Sequence, residues 1–237
     1  MSGLFYNLGR MFGPHVRHAR WVWQSMAGSE ADAMRIERDV GRDLARGIRQ
    51  QLKLDPDPQI ANLLNEVGPR LAGCVANKLR TFSFETFEGG EPNAFALPGG
   101  YIFVSRSLVE LCKRNQDEIA FILGHEMSHV IRGHAMDRII TNSAIALGSR
   151  FLSARGPITG LLNTVGIRLL ESSYSQELEM EADKLGALLV VAAGYNAKAP
   201  AALLSRLAKL SPSGVESGFG HYFSSHPSLN LRIQNVS

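Results

Sequence analysis

Five residues constrain this chain more than any others: His125-Glu126-Met127-Ser128-His129. They lie inside Asp117–His134, a stretch without proline whose apolar residues recur at helical spacing. On an α-helix, residues i and i+4 stand one above the other on the same face. Both imidazoles can therefore reach a single metal ion, and Glu126 stands beside them to act on a water. At about 100° per residue, Ile119, Leu123, Met127 and Val130 fall on the opposite side. A helix over residues 116–134 is predicted, with one face in a core and two His presented to a cavity.

A zinc enzyme needs a third protein ligand and keeps one position open. His134 lies five residues past His129, about 500° further around a continuing helix. That places it on the Ile119–Val130 side, away from the metal, as a core or C-capping His. The better candidate is the acidic run Glu177-Leu178-Glu179-Met180-Glu181-Ala182-Asp183, which opens an Ala-rich helix over residues 177–193, ended by Gly194. Glu179 and Asp183 share one face, and Glu177 and Glu181 nearly the opposite one. Glu179 would ligate the ion, and Asp183 would accept the second N–H of a ligand His and set its tautomer. Glu177 and Glu181 need no more explanation than the helix macrodipole.

With these residues in view, the chain resembles the zinc metallopeptidase family that includes the CAAX prenyl protease and the heat-shock protease HtpX. The motifs that carry the resemblance are HExxH and Glu-x-x-Ala-Asp over Glu179–Asp183. Residues 93–104 resemble the strand and hairpin before the family's active-site helix, and His226-Pro227 with Arg232 resembles its C-terminal element. The likeness spans residues 57–235 and is closest to the soluble-domain branch, that of the mitochondrial overlapping-activity stress protease. It implies an α+β, mostly helical, zincin-like (gluzincin) fold with a small antiparallel sheet and two metal-binding helices. It also implies a zinc-dependent endopeptidase, one Zn²⁺ per chain, acting on protein or peptide substrates in protein quality control.

The expected chemistry follows from the site. Zinc held by His125, His129 and Glu179 polarises a peptide carbonyl and acidifies a water. Glu126 takes the water's proton and passes it to the leaving amine. The peptide lies extended along an edge strand formed by Asn93, Ala94, Phe95 and Ala96, pairing through main-chain hydrogen bonds. Asn93 fixes the peptide backbone if the family likeness holds, or is simply a turn residue after Pro92. His226 and Arg232 are candidates to stabilise the oxyanion, the alternative being a C-terminal packing motif. A zinc-binding, non-hydrolytic scaffold or chaperone-like module is the rival class. Glu126 argues against it, because a structural zinc site has no use for that base.

Composition agrees with a globular domain: 237 residues, 45% hydrophobic and 20% charged. A net charge of +3 without a Lys/Arg block gives no sign of nucleic-acid binding. Cys74 and Cys112 form no C-x-x-C and suit a reducing compartment. Residues 1–29 form a basic, aromatic segment without a signal-peptide core. This segment either packs on the domain or rests weakly on an anionic membrane surface. Residues 30–237 read as a single peptidase domain.

Residues 139–170 are apolar but broken by Arg150, Arg155 and Arg168, which excludes a spanning helix there. Residues 139–176 read as a mobile insertion between the two metal-binding helices. The expected location is cytoplasmic, peripheral to a membrane at most. Oligomeric state is left open. Other expected elements are helices from Ser29 to about Leu54 and from Asp57 to about Val75, a strand over Arg80–Glu88, and a hairpin about Pro98-Gly99-Gly100.

Overall fold

The computed structural model describes residues 29–140, 174–210 and 229–236. The basic N-terminal segment, most of the insertion over residues 139–176, and residues 211–228, His226 among them, lie outside them.

Local signals start the helices where expected. Ser29 caps α1 (Glu30–Gln51), its side chain accepting from the Asp32 N–H at 3.1 Å. Asp57 caps α2 (Pro58–Gly73), accepting from the Gln59 N–H at 2.9 Å, with Pro58 in the first turn. Asn115 caps α4 (Gln116–Ile131), accepting from the Glu118 N–H at 3.1 Å. The short α3 (Arg106–Leu111) precedes it, and α5 (Gln176–Ala192), α6 (Ala199–Leu210) and α7 (Leu229–Val236) follow.

Three strands complete the described chain: β1 (Ser83–Phe87), β2 (Ala94–Leu97) and β3 (Tyr101–Ser105). β2 and β3 form the expected antiparallel hairpin, in register Ala94↔Val104 through Leu97↔Tyr101. The expectation of a wholly antiparallel sheet is corrected, because β1 pairs parallel to β3, Ser83↔Tyr101 through Phe87↔Ser105. Residues 88–93 carry the chain past β3, so β1 lies on the side of β3 away from the hairpin turn's first strand. The order is β1-β3-β2, a mixed sheet with β2 at one edge among the described residues.

The molecule is mostly helical. α4 runs through its centre, and every residue from Glu118 to Val130 is buried. Ile119, Leu123, Met127 and Val130 pack with Ile60, Leu64 and Leu71 of α2 and with Ile102 and Val104 of β3 in one apolar cluster. This burial is the main stabilising term, worth roughly 25 cal/mol per Å² of apolar surface removed from water. A second cluster joins Leu44, Ala45 and Ile48 of α1 to Phe95 and Phe103 of the sheet. Glu37 of α1 turns inward and is buried. It accepts from Gly99 N at 3.3 Å and pairs with Arg80 at 3.2 Å, tying α1 to the hairpin turn. Among the described residues no helix is long and apolar enough to cross a membrane.

Candidate active site

The site lies where α4 crosses α5. The two helices approach to backbone contact through Gly124 and Gly186: a Cβ placed on Gly186 would come 2.9 Å from the His125 nitrogen. No side chain could stand between them. This closeness brings the acids of α5 onto the HExxH face of α4, so the face expected to front a cavity is covered by α5. His125, Glu126 and His129 are buried, as are Glu179 and Asp183.

Three donors converge. His125 Nε2 lies 3.1 Å from His129 Nε2. Glu179 Oε2 is 3.6 Å from His125 Nε2, and Glu179 Oε1 is 3.3 Å from His129 Nε2. Ligands about 2.1 Å from a tetrahedral zinc stand about 3.4 Å from one another, so this triangle has the size of one face of a zinc tetrahedron. The donor set of two imidazoles and one carboxylate fits a divalent metal that keeps a position open. Among the described residues it is the group of three or more metal-binding side chains that converges this way.

Behind the donors lies a charged scaffold. His125 Nδ1 is 2.8 Å from Asp183 Oδ1, which leaves His125 Nε2 facing the other two donors. Asp183 is in turn gripped by Arg232 of α7, from Nε to Oδ2 and from a terminal nitrogen to Oδ1, both at 2.8 Å. A further Arg232 nitrogen reaches Glu179 Oε2 at 3.2 Å. Arg232 has no solvent exposure. It therefore stands behind the carboxylates, whereas the sequence suggested it for the oxyanion.

Burial would raise the Asp183 carboxyl, but the Arg232 charge and its hydrogen bonds, with His125, pull it down to about 2. Burial and Arg232 push the His125 pKa down. The Asp183 hydrogen bond and the charges of Glu179 and Asp183 outweigh them, and the net shift is upward. Burial carries His129 well below its ordinary value despite Glu179, favouring the neutral imidazole that binds metal.

His134, expected on the Ile119–Val130 side as a core or C-capping His, is buried, and its Nδ1 lies 3.1 Å from His129 Nδ1, the end of that ring away from the other two donors. The expected helix to residue 134 stops at Ile131, and Gly133 takes φ +80 before residues 134–140 resume helical form. A left-handed residue reverses the local path, so angles extrapolated along one helix no longer apply. Glu181, assigned only to the macrodipole, sits 3.1 Å from Arg132 and 3.5 Å from His134 Nε2. Tyr174, which sequence reasoning missed, stacks on His129 with ring centroids 3.9 Å apart and planes 13° from parallel. Its position just ahead of the acidic helix was the available signal. Glu177 is exposed.

Asn93 lies immediately before β2. Its N–H donates to Ser105 Oγ and its carbonyl accepts from Ser105 N, both at 2.8 Å. Ala94, Phe95 and Ala96 follow along the edge strand and are buried.

The mitochondrial metalloendopeptidase OMA1 of Arabidopsis thaliana is 31% identical over 163 residues, 68% of this chain and 32% of its own. The beta-barrel assembly-enhancing protease of Escherichia coli (strain K12) is 30% identical over 183 residues, 72% of this chain and 37% of its own. Metalloprotease LoiP of the same organism is 28% identical over 198 residues, 78% of this chain and 75% of its own. The chain thus spans about a third of the length of the first two relatives. The model of peptidase family M48 matches residues 58–237, and the chain belongs to that family.

Proposed function

We propose that this chain is a zinc-dependent endopeptidase that hydrolyses peptide bonds of protein substrates in protein quality control. The observation that carries the reading is the buried triangle of His125, His129 and Glu179, with edges of 3.1, 3.3 and 3.6 Å, with the buried Glu126 next to His125 along the same helix. Residues 30–237 act as one zincin-like, gluzincin-type domain. His125, His129 and Glu179 would hold one zinc ion. Zinc, when bound, supplies a Lewis acid for the scissile carbonyl and lowers the pKa of a water to about 7.

The protein's own groups do the rest. Glu126 accepts the proton of the attacking water and returns it to the departing amine, so that atoms and charge balance across the hydrolysis. Asp183 holds the His125 ring through Nδ1, and Arg232 holds Asp183. The substrate strand adds to the edge of β2 along Asn93, Ala94, Phe95 and Ala96. In support, Asn93 Oδ1 is buried with no hydrogen-bond partner among the described residues, an acceptor suited to a substrate N–H. His226 is assigned to the oxyanion on its sequence likeness.

The cytoplasmic reading, with weak membrane-surface contact through the N-terminal segment, rests on sequence features alone; the OMA1 relatives are named mitochondrial. Digestion of casein with and without a chelator, by the wild-type chain and by Glu126→Gln, tests the activity. Chelator-sensitive cleavage that is absent from Glu126→Gln is expected. Cleavage unaffected by both would overturn the reading.

A further inference from the structure

We propose that His134 is a positioning residue for the metal site: its Nδ1 accepts a hydrogen bond from His129 Nδ1–H and so fixes the plane and tautomer of that ligand. The inference rests on the metallopeptidase reading above and deepens it.

The argument starts from the two ends of the His129 ring. Nε2 faces His125 Nε2 at 3.1 Å and Glu179 Oε1 at 3.3 Å, so it is the nitrogen available to a metal. A neutral imidazole that ligates through Nε2 carries its proton on Nδ1. That N–H is buried and needs an acceptor. The atom 3.1 Å away is His134 Nδ1. It can accept only if His134 is itself the Nε2–H tautomer.

The far side of His134 suits that tautomer. Its Nε2 is 3.5 Å from Glu181 Oε2, a carboxylate that can only accept. The other Glu181 oxygen is held by Arg132 Nε at 3.1 Å, which keeps the carboxylate in place. At 3.5 Å the Glu181 contribution is an electrostatic bias more than a strong hydrogen bond. The chain of groups thus reads His129, His134, Glu181, Arg132, running from the buried site to the surface. His134 is 4% exposed, whereas the Glu181 side chain is 44% exposed.

The two metal-facing imidazoles are therefore supported differently. His125 leans on an ionised carboxylate, Asp183, and His129 leans on a neutral ring. Tyr174, stacked flat on His129, closes its face while His134 secures its edge. Gly133 takes part in this arrangement, since its φ of +80 breaks the regular helical path between His129 and His134.

The test uses the length of the amide side chains. An Asn amide oxygen occupies nearly the place of His Nδ1, and a Gln amide reaches the place of Nε2. Zinc affinity of the full chain, measured by competition with a chelating fluorophore, should fall about 10–100-fold in His134→Ala and His134→Gln. In His134→Asn it should stay close to wild type. Melting of the metal-free proteins, followed in parallel, reports packing alone. Wild-type affinity in all three variants would overturn the inference and leave the function intact. Equal affinity losses in all three, tracking losses in metal-free melting temperature, would reduce His134 to a packing residue and also overturn it. Wild-type chain that fails to bind zinc would overturn the functional reading itself. If the variants do not fold, ¹⁵N NMR of the imidazoles in zinc-loaded wild-type protein decides: a bare Nδ1 on His134 is expected, and a protonated one refutes the proposal.

Discussion

Gly186 of α5 rests directly on the backbone of His125 in α4, so close that a methyl group would lie 2.9 Å from the His125 nitrogen and 3.1 Å from the Gly124 carbonyl carbon. The contact is between main chains, which cannot swing aside as a side chain can. It sets the distance between the helix that bears the imidazoles and the helix that bears Glu179 and Asp183. Gly186→Ala should therefore push the two apart. Alanine favours a helix over glycine by about 1 kcal/mol, but overpacking costs about 1–3 kcal/mol and should win. Chemical denaturation should show a net loss of stability, together with weaker zinc binding. A stabilised variant with unchanged zinc affinity would show that the helices are not held apart by this contact.

Glu126 separates binding from chemistry. It contributes no edge to the donor triangle, so Glu126→Gln should retain zinc and fold. Turnover should drop by about 10²–10⁴-fold, the range for loss of a general base. Elemental analysis and a protease assay on the same sample check both halves. Near wild-type cleavage would place the base elsewhere.

Arg232 is buried against two carboxylates, and its removal strands them. Arg232→Ala should cost about 3–5 kcal/mol of stability, as for other broken buried ion pairs, and should weaken zinc binding. Arg232→Lys should restore little, because an ammonium cannot reproduce the two-pronged contact with Asp183. If instead kcat fell while stability and zinc affinity held, Arg232 would act on the reacting carbonyl after all.

His226 carries the remaining catalytic proposal. His226→Ala should lower kcat about 10²–10³-fold with zinc content and KM near wild type, as expected for loss of an oxyanion donor. Single-turnover and steady-state kinetics check this. An unchanged kcat would remove His226 from the mechanism.

Acid should release the cap of α2. The hydrogen bond from Gln59 N–H holds the Asp57 carboxyl below its ordinary value, and Arg114 adds to the effect. A depressed folded pKa contributes stability that is fully present above the unfolded value, about 4, and is lost as pH falls through the folded one. The melting-temperature gap between wild type and Asp57→Ala should be widest near neutrality and should narrow below about pH 4. A gap independent of pH would mean that the charge on Asp57 contributes nothing.

Much of the site is legible along the chain because its signals are local. His125 and His129 are one helical turn apart, Glu179 and Asp183 likewise, and Ser29, Asp57 and Asn115 announce their helices within three residues. Periodicity alone puts Ile119, Leu123, Met127 and Val130 in the core. Three features depended on the tertiary structure. The parallel placement of β1 beside β3 is a choice of neighbour, and strand patterns record only which face is apolar. The position of Arg232 behind Asp183 joins residues 49 apart in sequence through the packing of α7 on α5. The meeting of His134 with His129 comes after a left-handed residue, Gly133, past which the helical angle no longer carries forward. Local spacing is set by the backbone's own geometry, whereas pairings across the fold are decided by which buried surfaces and charges meet when the chain closes on itself.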